Sequence, residues 1–269
     1  MSEDPVIELR GASKRFRSGS GGVHTAVRDL TMTVARGEFV AVVGPTGCGK
    51  STTLSLVSGL EPPSDGEALV AGRPVDGIPD GIGYMFQNDA VLPWRSVLDN
   101  VAAGPRYRGE AKAAAREKAR DWVARVGLGG FESYYPHQLS GGMRKRVALA
   151  QTLVNEPSIL LMDEPFSALD VQTRALMQDE LLRLWSGSNA AVIFVTHDLE
   201  EAIALADRVL VMTAGPATVK ASFDVPLARP RDVEEIRLTA EFLEIYREIW
   251  ESLKEEVEET RARGAGRVA

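Results

Sequence analysis

Residues 39–52 read FVAVVGPTGCGKST. Five apolar residues without polar alternation run into a loop of the form G-x-x-x-x-G-K-[ST], and the apolar-rich TLSLVSGL follows. A short β-rich apolar run of this kind is a strand buried on both faces, as in a parallel sheet. The glycines let successive backbone N–H groups point inward, and the helix expected after them adds the favourable field of its N-terminus, so Gly44, Pro45, Thr46, Gly47, Cys48 and Gly49 form a cradle for phosphate. Lys50 is placed to reach the outer phosphates, Ser51 to put its hydroxyl on Mg²⁺, and Thr52 to bind an inner phosphate. Cys48 lies inside the cradle, where a thiol reagent is expected to crowd out a nucleotide.

Three further runs share the apolar character of 39–43: SILLM from 158, AAVIFV from 190 and RVLVM from 208. Helical segments separate them, so the class is α/β with a mostly parallel sheet. Segments 5–10, 23–34 and 67–75 are short and broken by Gly and Pro, and are expected to form an antiparallel β layer. SGSGG at 18–22 reads as a flexible hairpin tip. Between 88 and 154 the pattern becomes helical. EAKAAAREKARDWVARV at 110–126 is rich in Ala, Lys, Arg and Glu, and Val101, Trp122, Val123 and Val126 suggest one apolar face. The expected organisation is an α/β core at 1–87 and 155–225, an inserted helical lobe at 88–154, and a helical tail at 226–269. In the tail, Asp232 with Glu235 is a capping-box variant. Phe242, Tyr246, Ile249, Leu253 and Val257 then recur at helical spacing.

Two strand ends carry further chemistry. SILLMDEPFSALD places Asp163 and Glu164 side by side as a buried run ends. Successive side chains diverge there, so Asp163 suits the shell of Mg²⁺ and Glu164 suits polarising a water as general base. AVIFVTHD ends in His197, at the sheet edge where open α/β sheets bind ligands. Gln87 follows the strand-like GIGYMF.

The chain has 269 residues, a net charge of −7, 44% hydrophobic and 26% charged residues, and one cysteine. Its mild acidity argues against nucleic acid as a partner. A single cysteine excludes an internal disulfide and a cysteine zinc site, and fits a reducing cytoplasm. No window approaches the roughly 18 apolar residues of a membrane span. MSEDPVIELR lacks the basic-then-apolar pattern of a signal peptide. Any membrane role is expected to be peripheral.

One stretch remains: LSGGMRKR at 139–146, a second Ser-Gly-Gly segment at what reads as a helix start near Met143. With it, five motifs stand in order: GPTGCGKST, YMFQ, LSGGM, ILLMDEP with SALD, and VTHD. From about residue 5 to 225 the chain resembles the ATP-binding subunits of ABC transporters, which implies a P-loop NTPase core of the RecA-like kind with the β layer and helical lobe described above. The resemblance implies ATP and Mg²⁺ as ligands and a head-to-tail pair of subunits. Each ATP would lie between the P-loop of one copy and Ser140, Gly141 and Gly142 of the other. It implies adenine stacking for Phe16 in SKRF, a γ-phosphate contact for His197, and metal contacts for Ser51, Gln87 and Asp163. It further implies catalysis by Glu164, His197 and Lys50, and communication across the dimer for Asp170. Met143 departs from the more frequent Gln, and Lys145 and Gln151 stand where relatives often carry Gln and Arg.

One nucleotide-binding unit with no membrane span implies separate transmembrane permease subunits, with a substrate-binding protein as an indirect partner, and a cytoplasmic place on the inner face of the membrane. Leu92, Pro93 and Trp94 would border the surface that receives a permease. VLPWRSVLDNV, LSGGMRKRVALAQTL and the short tail resemble the nitrate/sulfonate/taurine importer group. An exporter ATPase and a soluble ABC ATPase stay open as alternatives. A P-loop kinase or GTPase has no use for LSGGM.

Overall fold

A computed structural model describes residues 5–17, 21–88, 90–167 and 169–265. The strands are β1 (Pro5–Arg17), β2 (Val23–Ala35), β3 (Phe39–Val43), β4 (Asp65–Val70), β5 (Arg73–Pro74), β6 (Ile82–Met85), β7 (Ile159–Asp163), β8 (Ala191–Thr196), β9 (Arg208–Met212) and β10 (Val219–Asp224). The helices are α1 (Lys50–Ser58), α2 (Val97–Val101), α3 (Ala103–Tyr107), α4 (Lys112–Arg125), α5 (Gly141–Leu153), α6 (Val171–Trp185), α7 (Leu199–Leu205), α8 (Val233–Ile236) and α9 (Ala240–Ala265). By internal contacts the chain forms two compact units, one of residues 1–80 with 189–269 and one of residues 81–188.

In the first unit β3 pairs in parallel with β8 on one side and β9 on the other, and β10 adds antiparallel to β9. Every residue of β3 and β8 is buried, which explains why neither alternates in polarity. A second sheet, in the order β2-β1-β4-β5, is antiparallel. The expected segment 5–10 is only the first half of β1, which runs on to Arg17. Gly11, which breaks the pattern, marks a bulge (φ +57°) and not a strand end. β1 and β2 pair from Pro5↔Ala35 to Arg17↔Val23. Residues 18–20 of the expected hairpin tip lie outside the described residues.

α1 touches strands of both sheets, β1, β2 and β4 of one and β8 of the other. α7 packs on β3, β8 and β9, and α9 packs on α7 and β9. α9 buries Phe242, Ile249 and Leu253, while Tyr246 and Val257 are half-buried. The apolar stripe therefore serves the helix's own unit. Asp232 caps α8 by accepting the N–H groups of Glu234 (3.0 Å) and Glu235 (2.9 Å).

In the second unit β6 and β7 are parallel, with Met85 beside Met162. α2, α4 and α5 pack against one another and α5 against β6. α4 buries Ala115, Ala119, Trp122 and Val123 along one face. Asn100, wholly buried, staples the loop before α2. Its side-chain oxygen accepts the Leu92 N–H (2.7 Å), and its amide nitrogen donates to the carbonyls of Leu92 (3.1 Å), Arg95 and Ser96 (both 3.0 Å).

Candidate functional site

In the first unit the register of β3 with β8 sets Val43 beside Thr196. Gly44 and His197 therefore leave the sheet at the same edge. The loop 44–49 has little room to change. A side chain on Gly44 would meet Met212 Cβ at 3.1 Å, and one on Gly49 (φ +124°) would meet the Ala26 carbonyl at 2.5 Å and Ala217 Cβ at 2.8 Å. Gly49 is both the residue before α1 and a conformation that side chains rarely adopt. Lys50 is buried, and its ammonium donates to the carbonyls of Gly44 (2.8 Å) and Pro45 (3.0 Å). The cation thus sits within the loop, where an arriving phosphate oxygen can replace a carbonyl as its partner. Pro45 is buried, Ser51, Thr46 and Gly47 are exposed, and Thr52 is half-exposed.

Cys48 is less accessible than its place in the loop suggests. Only 2% of it is exposed, its sulfur lies 3.2 Å from where a Gly44 Cβ would stand, and burial raises its pKa above the ordinary 9.0 against the pull of Lys50. A reagent meets a shielded thiol that stays protonated, so Cys48 is a poor handle for blocking the loop.

His197 is exposed, and the turn that carries it is fixed from behind. Thr196 Oγ1 donates to the buried Glu201 carboxylate (2.6 Å) and accepts the Asp198 N–H (3.0 Å), while Asp198 caps α7. Phe16 lies half-exposed in β1, opposite His24, with the Lys14 ammonium 5.2 Å from its ring centre.

In the second unit the parallel β6–β7 pair brings Gln87, Asp163 and Glu164 to one edge. Asp163 closes β7 and is buried. Glu164 has φ +43°, a left-handed conformation that costs a non-glycine residue energy and that clusters at functional sites. Its Oε2 accepts from Gln87 Nε2 at 3.1 Å. Lys145, also buried, donates to the Gln87 carbonyl at 2.8 Å. It holds the backbone of the residue that holds Glu164. The sequence showed only that Lys145 replaces a commoner Gln; its partner is 58 positions away.

Ser140 stands exposed as the cap of α5, its hydroxyl accepting the Met143 N–H at 3.2 Å. The helix begins at Gly141, two residues before the expected Met143. Both glycines therefore sit in the first turn, whose N–H groups have no partner within the helix. A Cβ on Gly141 would find nothing nearer than 3.8 Å, whereas one on Gly142 would strike Thr173 Cγ2 at 2.7 Å. Asp170 caps α6 through the Thr173 N–H (3.0 Å), and that hydrogen bond lowers its pKa.

Residues 27–167 match the family described as ABC transporter. An ABC transporter ATP-binding protein of Methanocaldococcus jannaschii is 46% identical over 93% of this chain and 92% of its own length. The chain belongs to the ABC transporter family, as an ATP-binding subunit. It is 42% identical to a taurine import ATP-binding protein of Burkholderia pseudomallei (88% of this chain, 93% of that one). It is 38% identical to an aliphatic sulfonates import ATP-binding protein of Bacillus thuringiensis (84% and 89%). A solved ATP-binding cassette, a dimer in a post-hydrolysis state bound to ADP and Pi, superposes with TM-score 0.74 at 27% identity, covering 82% of this chain and all of that one. The fold is that of the ABC ATPase cassettes, and this ABC subunit is an ATPase.

For a divalent cation the donor types suit Mg²⁺. In the first unit Ser51 offers a hydroxyl, and in the second Gln87 and Asp163 offer a carboxamide and a carboxylate, all hard oxygen donors. Among the described residues no three or more His, Cys, Asp or Glu side chains gather into a metal cage. Few protein ligands, with waters and substrate phosphates for the rest, is how Mg²⁺ is usually held.

Proposed function

We propose that this chain is the ATP-hydrolysing subunit of an importer for a small sulfonate, taurine, nitrate or a related solute. The observation that carries the reading is the identity, over more than four-fifths of the chain, to taurine and aliphatic sulfonate import subunits. Backbone N–H groups of 44–49 and Lys50 bind the ATP phosphates, Thr52 holds an inner phosphate, and Phe16 stacks on the adenine. Ser51, Gln87 and Asp163 would hold Mg²⁺, which would draw charge from the phosphates when bound. Glu164, aimed by Gln87, takes the proton of a water as its oxygen attacks the γ-phosphorus; the bond to the bridging oxygen breaks and the electron pair leaves with ADP. His197 donates to the γ-phosphate.

Two copies pair head to tail, and Ser140, Gly141 and Gly142 of one serve the ATP of the other. The capped start of α5 offers N–H groups and a positive helix end to the γ-phosphate. Among the described residues no helix is long and apolar enough to cross a membrane, and the transport step belongs to permease subunits at the inner membrane face. Their docking surface is in the second unit. Trp94 is 72% exposed and Tyr107 75%, with Arg95 against the Tyr107 ring. A groove of about 340 Å³ lined by Phe86, Leu92, Tyr107, Gln151 and Asn155 lies there. The buried side-chain oxygens of Gln151 and Asn155, in its lining, have no hydrogen-bond partner among the described residues. A substrate-binding protein serves the permease from the other face.

Growth of a deletion strain on nitrate, taurine, longer alkanesulfonates or sulfate tests the substrate. A defect on one source, restored by the wild-type gene but not by Glu164→Gln, names the class. Unchanged growth on all of them excludes these solutes and points to an exporter or another cargo. Glu164→Gln itself is expected to lower kcat by about 10²–10⁴-fold while keeping ATP affinity, and to accumulate as an ATP-bound dimer. Only monomer in the ultracentrifuge at saturating ATP would remove the shared-site arrangement.

A further inference from the structure

The turn between β9 and β10, residues 213–218, is the seat of the phosphate-binding loop. Met212, the last residue of β9, stands 3.1 Å from where a Gly44 Cβ would be, and Ala217 in the turn leaves no room for a side chain at Gly49 (2.8 Å). Gly215 lies against Cys48, where an added Cβ would be 3.8 Å from its Cα. Ala217 is wholly buried and tied to the strand under the loop, its N–H donating to the Ala26 carbonyl (2.8 Å) and its carbonyl accepting the Arg28 N–H (3.0 Å). The turn is closed on itself by Thr213, whose hydroxyl donates to the Pro216 carbonyl (2.9 Å) and accepts the Thr218 N–H (3.1 Å).

A side chain of the tail straps this turn from outside. Glu256 of α9, only 7% exposed, accepts the Ala214 N–H at 2.6 Å through Oε2, and its Oε1 meets the Lys220 ammonium at 2.9 Å. Its charge is also felt at the Cys48 thiol, though less than burial or Lys50. A charged carboxylate receiving a main-chain N–H is among the stronger kinds of hydrogen bond.

We propose that Glu256 is a positioning residue for ATP binding: through Ala214 it holds the 213–218 turn, and the turn holds the phosphate-binding loop. The tail helix thereby sets how tightly the subunit takes nucleotide. This rests on the reading that 44–52 binds the ATP phosphates.

The test compares Glu256→Ala, Glu256→Gln and Lys50→Ala in the full chain, by binding of a fluorescent ADP analogue, ATP turnover and thermal melting. In Glu256→Ala, Lys220 keeps Glu255 (2.6 Å) and the Ser252 carbonyl (3.0 Å), so the loss centres on the Ala214 strap. The Kd and the KM for ATP are expected to rise about fivefold to tenfold, with a smaller change in kcat. Glu256→Gln, which still offers an oxygen to Ala214, should recover most of the affinity. Wild-type Kd in Glu256→Ala, with or without a lower melting temperature, overturns the proposal if Lys50→Ala abolishes binding. Wild-type binding by Lys50→Ala overturns the phosphate-loop reading, and the strap with it. Should Glu256→Ala fail to fold, Glu256→Asp keeps the charge and shortens the reach: weaker binding supports the strap, and wild-type binding refutes it.

Discussion

The two glycine-rich stretches, 44–49 and 140–142, look alike in the sequence and are built on different principles. In the first, glycine is demanded from within. Gly49 has a backbone angle that side chains avoid, and it lies against the Ala26 carbonyl and Ala217. In the second, the backbone is ordinary helix, and a serine side chain outside the helix does the capping. Gly142 is kept small by Thr173, but space around Gly141 is open. A loop that must curl round a ligand is enclosed by its own unit; a helix start that presents N–H groups outward is not. The proposed service of 140–142 to another chain's nucleotide would use that outward face.

The sharpest break between the two is a matched pair of alanines. Gly49→Ala is expected to weaken nucleotide binding by the isolated chain at least about 100-fold, because a Cβ 2.5 Å from a carbonyl oxygen forces the loop open. Gly141→Ala should leave that affinity within about twofold, since the first helical turn tolerates alanine well, while lowering ATP turnover through the proposed contact with a partner's nucleotide. Calorimetric titration with ADP and a phosphate-release assay read both, and equal loss of affinity in the two variants would erase the distinction. A smaller effect is expected of Ser140→Ala, which removes the cap of α5 and should cost about 1 kcal/mol in urea unfolding. The smallest concerns Cys48. Burial raises its thiol pKa above 9.0, so the folded state holds the proton that the unfolded chain has begun to lose. Its contribution to stability is complete below pH 9.0 and declines as pH rises beyond it. Unfolding midpoints at pH 8 and pH 10.5 should fall further apart for the wild type than for Cys48→Ser, and equal spacing would show the thiol to be unperturbed.

Much of the fold could be read directly. The unalternating runs at 39–43, 159–163, 191–196 and 208–212 became strands, and three of them, β3, β8 and β9, lie side by side in parallel because only strands buried on both faces can be apolar throughout. Asp232 and Ser140 were legible as caps because a cap bonds two or three residues away. Lys145 and Asn100 were not legible in that way. Lys145 on a helix, with charged neighbours, reads as a surface residue until its ammonium is found on the Gln87 carbonyl. Asn100 has no local mark to distinguish it from a solvated polar side chain, yet it anchors the loop that presents Trp94. Trp94 itself could have packed locally, and its 72% exposure is a fact of packing alone.

What the sequence determined by itself is the chemistry confined to a few consecutive residues: a phosphate loop between strand and helix, acids at a strand end, a serine before a helix. Periodicity, turn geometry and capping all act over one or two turns of chain, so they are written in neighbouring letters. Only the tertiary structure decided which distant groups meet. The Gln87–Glu164 bond spans 77 positions, Glu256 reaches Ala214 across 42, and the seating of Gly44 and Gly49 on Met212 and Ala217 joins the N-terminal and C-terminal halves of the chain. These depend on strand register and on which helix face is buried, and register is settled by the burial of whole strands at once, not by any local pattern.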